Sequence, residues 1–263
     1  VTETNVPHAD NVTYFGDGTD EAQMVYNFAL PPLVLHAFVT GSAEALSSWA
    51  AGLAPPSETT AFFNFLDSHD GIGLMGARGI LPEEEIGRLC DRVRSVGGLV
   101  SMRTGESGAP SPYELNVTWW SALNDAEEGE PLERKVDRFL ASRAIALSLR
   151  GVPGIYLLSF FGARNDLDAV KRDGQARSIN RSAMREEWLF DQFSDPSSVP
   201  SRTASRFIDL LGRRAAEPAF HPAAGQRLLC LDPRLSAPVR TPRPARAPLL
   251  AVVAVPGTEV ATT

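Results

Sequence analysis

The chain has 263 residues, 43% of them hydrophobic, enough for one large domain or one and a half ordinary ones around a substantial core. Its formal net charge is −7 and it has no Lys/Arg run, which excludes the electrostatic footprint that nucleic-acid binding needs. No apolar stretch reaches the roughly 18 residues of a membrane span and no secretory leader is visible, so the sequence predicts a cytoplasmic protein with neither nucleic acid nor membrane as a partner.

Positive charge is carried almost wholly by arginine: Lys135 and Lys171 are the only lysines. That bias fits a GC-rich coding sequence better than a function. The two cysteines, Cys90 and Cys230, are far apart and lack metal spacing, so neither a disulfide framework nor a metal site is expected. Val1 stands where a methionine would, and the first residues read as a strand met in mid-fold. The expectation is a piece of a longer chain.

In chain order, a short strand opens the sequence and a polar loop follows to Gly16. Met24 to Phe28 is a buried-strand candidate. Pro31 and Pro32 suit the first turn of a helix over Leu33–Phe38, and a second helix begins near Ser42 with Leu46, Trp49 and Leu53 at helical spacing. Ala61–Leu66 is another strand. Pro82 and three glutamates open a helix whose apolar face is Ile86, Leu89, Val93 and Val96. Residues 101–116, rich in Gly, Ser and Pro, read as a long loop. Glu133–Arg150 is the strongest helix, with Val136, Leu140, Ala144 and Leu147 in its stripe, stopped by Gly151 and Pro153. Gly154–Ser159 reads as a strand, Phe161–Asn180 as a loop and Thr203–Ala215 as a helix. Arg227–Leu231 and Pro248–Val255 look like strands flanking a loop over Ala237–Ala247. Strands near residues 1, 24, 61 and 154 alternate with helices, the pattern of a parallel α/β sheet. Four such units are half of a (β/α)8 barrel, whose chemistry sits on the loops after the strands.

Polar clusters fall at these strand ends: Glu3 with Asn5 and His8, then His69-Asp70-Gly71, then the segment from Phe161 to Arg181. Two carboxylates at neighbouring strand ends are what glycosyl transfer needs, one as a proton donor and one ionised beside an oxocarbenium-like transition state. Taken singly, an Asp after a strand is more often a helix cap and a lone His more often a hydrogen-bonded structural group.

Longer motifs sharpen this. Thr2-Glu3-Thr4-Asn5-Val6-Pro7-His8, Tyr26 to His36, Leu66-Asp67-Ser68-His69-Asp70-Gly71-Ile72-Gly73, Pro112-Tyr113-Glu114-Leu115-Asn116, Gly151 to Tyr156 and Ala176-Arg177-Ser178-Ile179-Asn180-Arg181 resemble, in the same order, the sucrose phosphorylase branch of glycoside hydrolase family 13, the α-amylase family. The resemblance covers about residues 1–235. It implies the C-terminal half of a (β/α)8 TIM barrel, strands five to eight, over 1–222, followed by the start of a small, incomplete C-terminal β domain over 223–263. It implies retaining phosphorolysis of an α-glucoside to α-glucose 1-phosphate, with no cofactor and inorganic phosphate as co-substrate, and it is compatible with a homodimer. Glu3 matches the general acid/base, Asp70 the transition-state-stabilising aspartate and His69 the histidine that bonds the glucosyl hydroxyls. Arg177 matches an arginine that holds phosphate or acceptor, and the 101–116 loop matches a mobile loop; Asn5 and His8 join the substrate-binding set through the first motif.

Two departures stand out. The family's nucleophilic aspartate would precede Val1, so this chain by itself is expected to be inactive. Sucrose-specific members carry Gln at the position of Glu114 and Asp at that of Ser111. The sequence therefore looks closer to the branch acting on glucosylglycerate or sucrose 6′-phosphate, with anionic acceptors; Arg164 is a candidate partner for such an acceptor, or equally a surface arginine. A hydrolase or transglucosylase of the same superfamily, and a non-catalytic half-barrel, are the competing readings.

Overall fold

A computed structural model describes residues 1–105, 108–124, 129–242, 244 and 247–256. Its centre is a parallel sheet in sequential order. Thr2 bridges Val25 of β1 (Met24–Tyr26), β1 pairs with β2 (Ala61–Asn64), and β2 with the next parallel strand, Val152–Pro153. The registers Val25↔Phe62 and Tyr26↔Phe63 set the two faces. Alternation puts Val25 and Phe62 under the helices, fully buried, and turns Tyr26 and Phe63 to the opposite face.

Helix α1 (His8–Thr13) occupies part of the segment expected to be a loop, following Pro7 at its N-cap. Helix α2 (Leu30–Thr40) is buried from Leu30 to Val39, with prolines in its first turn and Gly41 as a left-handed C-cap. A helix that is apolar all round must lie between layers, and α2 does, packed against α3 (Glu44–Ala51) and α4 (Glu83–Ser95). Glu83, Glu84 and Glu85 in the first turn of α4, with Arg92 and Arg94 in the last, complement its dipole.

Residues 106 and 107 of the expected long loop 101–116 lie outside the described residues, and most of the rest is strand. β4 (Leu99–Thr104) and β5 (Pro110–Asn116) form an antiparallel pair, and β5 also pairs with β3 (Ile72–Gly73). Pro110, Ser111 and Pro112 lie within β5 itself, while Leu99-Val100 of β4 and Tyr113-Glu114-Leu115 of β5 carry apolar and aromatic side chains of the pair. After α5 (Trp119–Leu123) and α6 (Leu132–Ser148) comes β6 (Val152–Pro153). The strand expected at 154–159 is thus earlier, and Leu157–Phe160 is helix α7; a short apolar run does not distinguish the two periods. Gly151, at φ 140°, opens β6 because a Cβ there would lie 2.6 Å from the Asn64 side chain and the Phe62 carbonyl.

The expected loop 161–180 contains α8 (Leu167–Asp173), capped by the Asp166 side chain on Ala169 N–H at 2.8 Å, and a 3₁₀ turn over Ala176–Asn180. α9 (Glu186–Ser194), unforeseen, and α10 (Val199–Ala216) follow. The end of the chain is antiparallel: β7 (Gly225–Leu228), β9 (Pro238–Thr241) and β10 (Leu249–Leu250) form one sheet, β8 (Leu235–Ser236) and β11 (Val253–Ala254) another. Of the expected loop over 237–247, Pro238–Thr241 is strand, and 243, 245 and 246 lie outside the described residues. Arg240 of β9 is completely buried and donates to the carbonyls of Gly225, Ser148 and His221 at 3.0–3.2 Å, bolting this sheet onto the C-terminal end of α6. Burial, with Arg214 and Arg150 nearby, pushes its pKa down to about 10, so it is a buried cation at neutral pH.

Candidate active site

The turn from β2 to β3 carries His69 and Asp70, and three elements clamp it. Asp67 is gripped by Arg143 of α6 through two parallel hydrogen bonds of 2.9 and 3.0 Å, both side chains almost fully buried. Arg143 also lies 4.7 Å from the centroid of Phe139 and contacts Ser159 Oγ. Asn180 Nδ2 donates to the Ser68 carbonyl at 3.2 Å and to the Asp70 carbonyl, and Arg181 Nε donates to the His69 carbonyl at 2.7 Å. Tyr156 ties Asn180 in turn, its hydroxyl donating to the Asn180 carbonyl at 2.9 Å. Burial, aided by Asp67, raises the pKa of that hydroxyl.

Three cationic or proton-bearing groups converge on one oxygen of Asp70. Arg177 Nη1 is 2.8 Å from Oδ1, Arg181 Nη2 2.9 Å and His69 Nε2 3.6 Å. Oδ2 has no partner among the described residues. Arg177 meanwhile grips Glu114 of β5 in bidentate fashion, Nε to Oε1 at 3.0 Å and Nη2 to Oε2 at 2.7 Å. These bonds, chiefly, hold the guanidinium above its ordinary pKa. Glu114 is buried to 4% exposure, and Gly71 permits its approach: a Cβ there would stand 2.7 Å from Glu114 Cγ and 2.5 Å from the Leu115 carbonyl. Releasing Arg177 would leave a buried carboxylate uncompensated, at about 3–5 kcal/mol, so its fork is committed to Glu114 and Asp70.

Glu3 is exposed, one residue beyond the Thr2–Val25 bridge, and its charge acts on Tyr26, whose pKa burial has already raised. Tyr26 lines a cavity of about 180 Å³ together with Phe63, Phe65, His69 and Tyr156. His69 and Tyr26 thus share one aromatic-walled hollow, and Glu3 reaches it only through the effect of its charge on Tyr26. A Cβ on Gly73 would come 2.7 Å from the Asn5 side chain, so Asn5 sits against the β3 glycine.

The other expected site residues stand elsewhere. His8 packs among aromatic rings, 5.5 Å from Trp49 and 5.9 Å from Phe62 between centroids, on the helix side of the sheet; burial lowers its pKa. Ser111 accepts from Arg78 Nη2 at 2.6 Å rather than meeting Arg177. Arg164 is exposed in a separate cavity of about 570 Å³ with Phe161, Met184 and Trp188. Sequence reasoning missed Arg181, Asn180 and Arg143. The first two lie inside the motif quoted for Arg177. Arg143 had a signal: it falls at i+7 from Val136, in the apolar stripe of α6, where a charge needs a buried partner.

No protein-family model matches the chain. It is 47% identical over 229 residues to glucosylglycerate phosphorylase of Allomeiothermus silvanus, a match covering 87% of this chain and 41% of that enzyme. To glucosylglycerate phosphorylase of Escherichia coli it is 45% identical over 222 residues, 84% of this chain and 39% of that one. Sucrose phosphorylase of Agrobacterium vitis is 30% identical over 221 residues, 80% and 41% of the respective chains. The chain spans about two fifths of the length of these curated relatives, in their C-terminal part. Among solved structures, sucrose 6F-phosphate phosphorylase from Thermoanaerobacter thermosaccharolyticum superposes with a TM-score of 0.68 at 20% identity, covering 95% of this chain and 48% of that one. The fold is shared with about half of that chain.

Proposed function

We propose, since this chain belongs to the sucrose phosphorylase-like branch of glycoside hydrolase family 13, that it is the C-terminal part of a retaining α-glucoside phosphorylase. In this reading the parallel sheet is strands five to eight of a (β/α)8 barrel over residues 1–222, and residues 223–263 begin a β domain. The supporting observation is the convergence of Arg177, Arg181 and His69 on Asp70, locked by Glu114, in the loops after the parallel strands.

The chemistry follows from charge. The glycosidic C1–O bond breaks as a carboxylate from the half of the barrel outside this chain bonds to C1, and Glu3 passes its proton to the departing acceptor oxygen. A phosphate oxygen then replaces that carboxylate at C1, giving its proton back to Glu3 and forming α-glucose 1-phosphate. Asp70, approached at Oδ1 by Arg177, Arg181 and His69, supplies the negative charge where positive charge develops on the sugar ring. In this reading His69 bonds glucosyl hydroxyls. No cofactor enters; phosphate is the co-substrate. The acceptor class is anionic: the relatives at 47% and 45% identity are glucosylglycerate phosphorylases. The test is to incubate the full-length protein with glucosylglycerate, sucrose 6′-phosphate or sucrose, with and without phosphate. Phosphate-dependent α-glucose 1-phosphate release, fastest from an anionic glucoside, is expected. Equal release of free glucose without phosphate would establish a hydrolase instead.

A further inference from the structure

A carboxylate that stabilises developing charge must be held at a fixed distance, and a misplacement of about 1 Å costs up to about 10²-fold in rate. The strand that follows Asp70 does little to fix it, since β3 is two residues long. Much of the hold comes from Asn180, on the segment after β6. That residue is 3% exposed, and its Nδ2 donates to the carbonyls of Ser68 and Asp70. Its Oδ1 is buried without a hydrogen-bond partner among the described residues, so no further bond steadies the amide from its own end. The backbone must place it, and the Asn180 carbonyl accepts from the Tyr156 hydroxyl at 2.9 Å.

Tyr156 is suited to that task. Two residues before it, Gly154 N–H donates to the Asn64 carbonyl at 2.7 Å, and a Cβ on Gly154 would run into the Phe63 ring, so the chain leaves β6 pressed against β2. The ring of Tyr156 then walls the hollow of about 180 Å³ that also holds Phe63, Phe65 and His69. With Asp67, Ser68 and Asn180 it lines a second crevice of about 10 Å³, room for one water at most. Burial and the nearby Asp67 raise the pKa of the hydroxyl, which therefore remains a donor at neutral pH. Arg177, Arg181 and His69 are the groups that reach the Asp70 carboxylate; Tyr156 reaches the turn through Asn180.

We propose that Tyr156 is a positioning residue for Asp70: through Asn180, its hydroxyl fixes the backbone of the 68–70 turn, and so sets turnover while leaving sugar affinity alone. The role rests on the phosphorylase reading of Asp70, and the experiment keeps the two apart. Full-length wild type, Tyr156→Phe, Asp70→Asn and the double variant are compared on glucosylglycerate with phosphate for kcat, KM and the inhibition constant of glucose. Hydrogen exchange is followed at the amides of residues 68–73. Tyr156→Phe keeps the ring in the hollow and removes one hydroxyl. It should lower kcat about tenfold or more, hold KM and glucose inhibition within about twofold, and speed exchange across the turn. In the Asp70→Asn background the same change should cost less than about twofold, because the charge to be placed is gone. A general loss of stability would lower both backgrounds alike. Unchanged kcat, a rise in KM at constant kcat, or the same loss in both backgrounds would overturn the positioning role. Unchanged exchange would overturn the clamp whatever the reaction. Faster exchange in Tyr156→Phe, with no turnover of any α-glucoside by wild type, would refute the function and leave the clamp standing.

Discussion

Replacing Arg143 with methionine tests whether the Asp67–Arg143 pair, rather than the turn's own sequence, fixes the site. Both side chains are under a tenth exposed and share two hydrogen bonds. Methionine approximates the volume of the arginine stem and preserves contact with Phe139, so the loss is mainly electrostatic: Asp67 remains buried without a counter-charge. Breaking a buried pair in this way costs about 3–5 kcal/mol. At roughly 2–4 °C per kcal/mol for a domain of this size class, the melting temperature of the full-length protein should fall by on the order of 10 °C. Trp119, buried 5.7 Å from the Arg143 guanidinium, reports the loss by fluorescence. Adding Asp67→Asn to Arg143→Met should recover more than half of the shift, because a neutral amide leaves no stranded charge; replacing both members of a buried pair is far cheaper than removing one. A shift within about 2 °C for Arg143→Met, or a double variant no more stable than the single one, would refute this reasoning.

Three further outcomes are expected. Glu3→Gln in the full-length enzyme should lower kcat by about 10²–10⁴, the range of general acid–base catalysis; steady-state phosphorolysis within tenfold of wild type would remove Glu3 from that role. His8 has a pKa lowered by burial from 6.5, so on acidification the unfolded chain takes up its proton first. The stability tied to neutral His8 is therefore intact above pH about 6.5 and is lost as pH falls below it; thermal melts from pH 7.5 to 5 should show this slope, flattened in His8→Phe. Arg240→Met strands the carbonyls of Gly225, Ser148 and His221 and should destabilise the protein by about 1–3 kcal/mol net of the relieved desolvation, read as a lower melting temperature and faster proteolysis within residues 225–255.

What the sequence disclosed, and what it concealed, follows from the range of each interaction. Strands β1 and β2 and helices α2, α4 and α6 carry their own periodicity and caps, so they are legible locally, within a few residues at their ends. The β4–β5 pair was not, because Gly105, Gly108, Pro110 and Pro112 outweigh the strand residues in any local count, and only cross-strand pairing with β3 reveals it. β9 was hidden for the same reason: a Pro/Arg/Ala-rich stretch does not look like a strand until Arg240 finds its acceptors 15 to 92 residues away. In the site, Asp70, His69, Glu114 and Arg177 were legible through motifs, and the structure brings all four together. His8 entered through the Thr2–His8 motif and Ser111 through its match to an Asp of sucrose-specific members; the structure sets His8 in the aromatic layer between Trp49 and Phe62, and Ser111 accepts from Arg78.

The way the 67–70 turn is held makes Asp70 a clean probe of transition-state charge. Asn180 and Arg181 clamp it through the carbonyls of Ser68, His69 and Asp70, and Arg143 through the Asp67 side chain; none of these contacts uses the Asp70 carboxylate. Asp70→Asn therefore changes the charge without releasing the backbone. The two arginines it would leave half-paired are about two fifths exposed, 41% for Arg177 and 38% for Arg181, and Arg177 retains Glu114, so water compensates them at little cost. On the proposed mechanism, what remains is the loss of a negative charge facing the developing oxocarbenium centre. Removing one preorganised electrostatic contact of this kind costs about 10²–10³ in kcat. Asp70→Asn should show that loss in kcat and in kcat/KM alike, while the inhibition constant for glucose, a ground-state measure, moves less than about threefold. If glucose affinity falls as far as kcat/KM while kcat holds, Asp70 only binds the sugar, and the cations gathered on Oδ1 serve packing instead of catalysis.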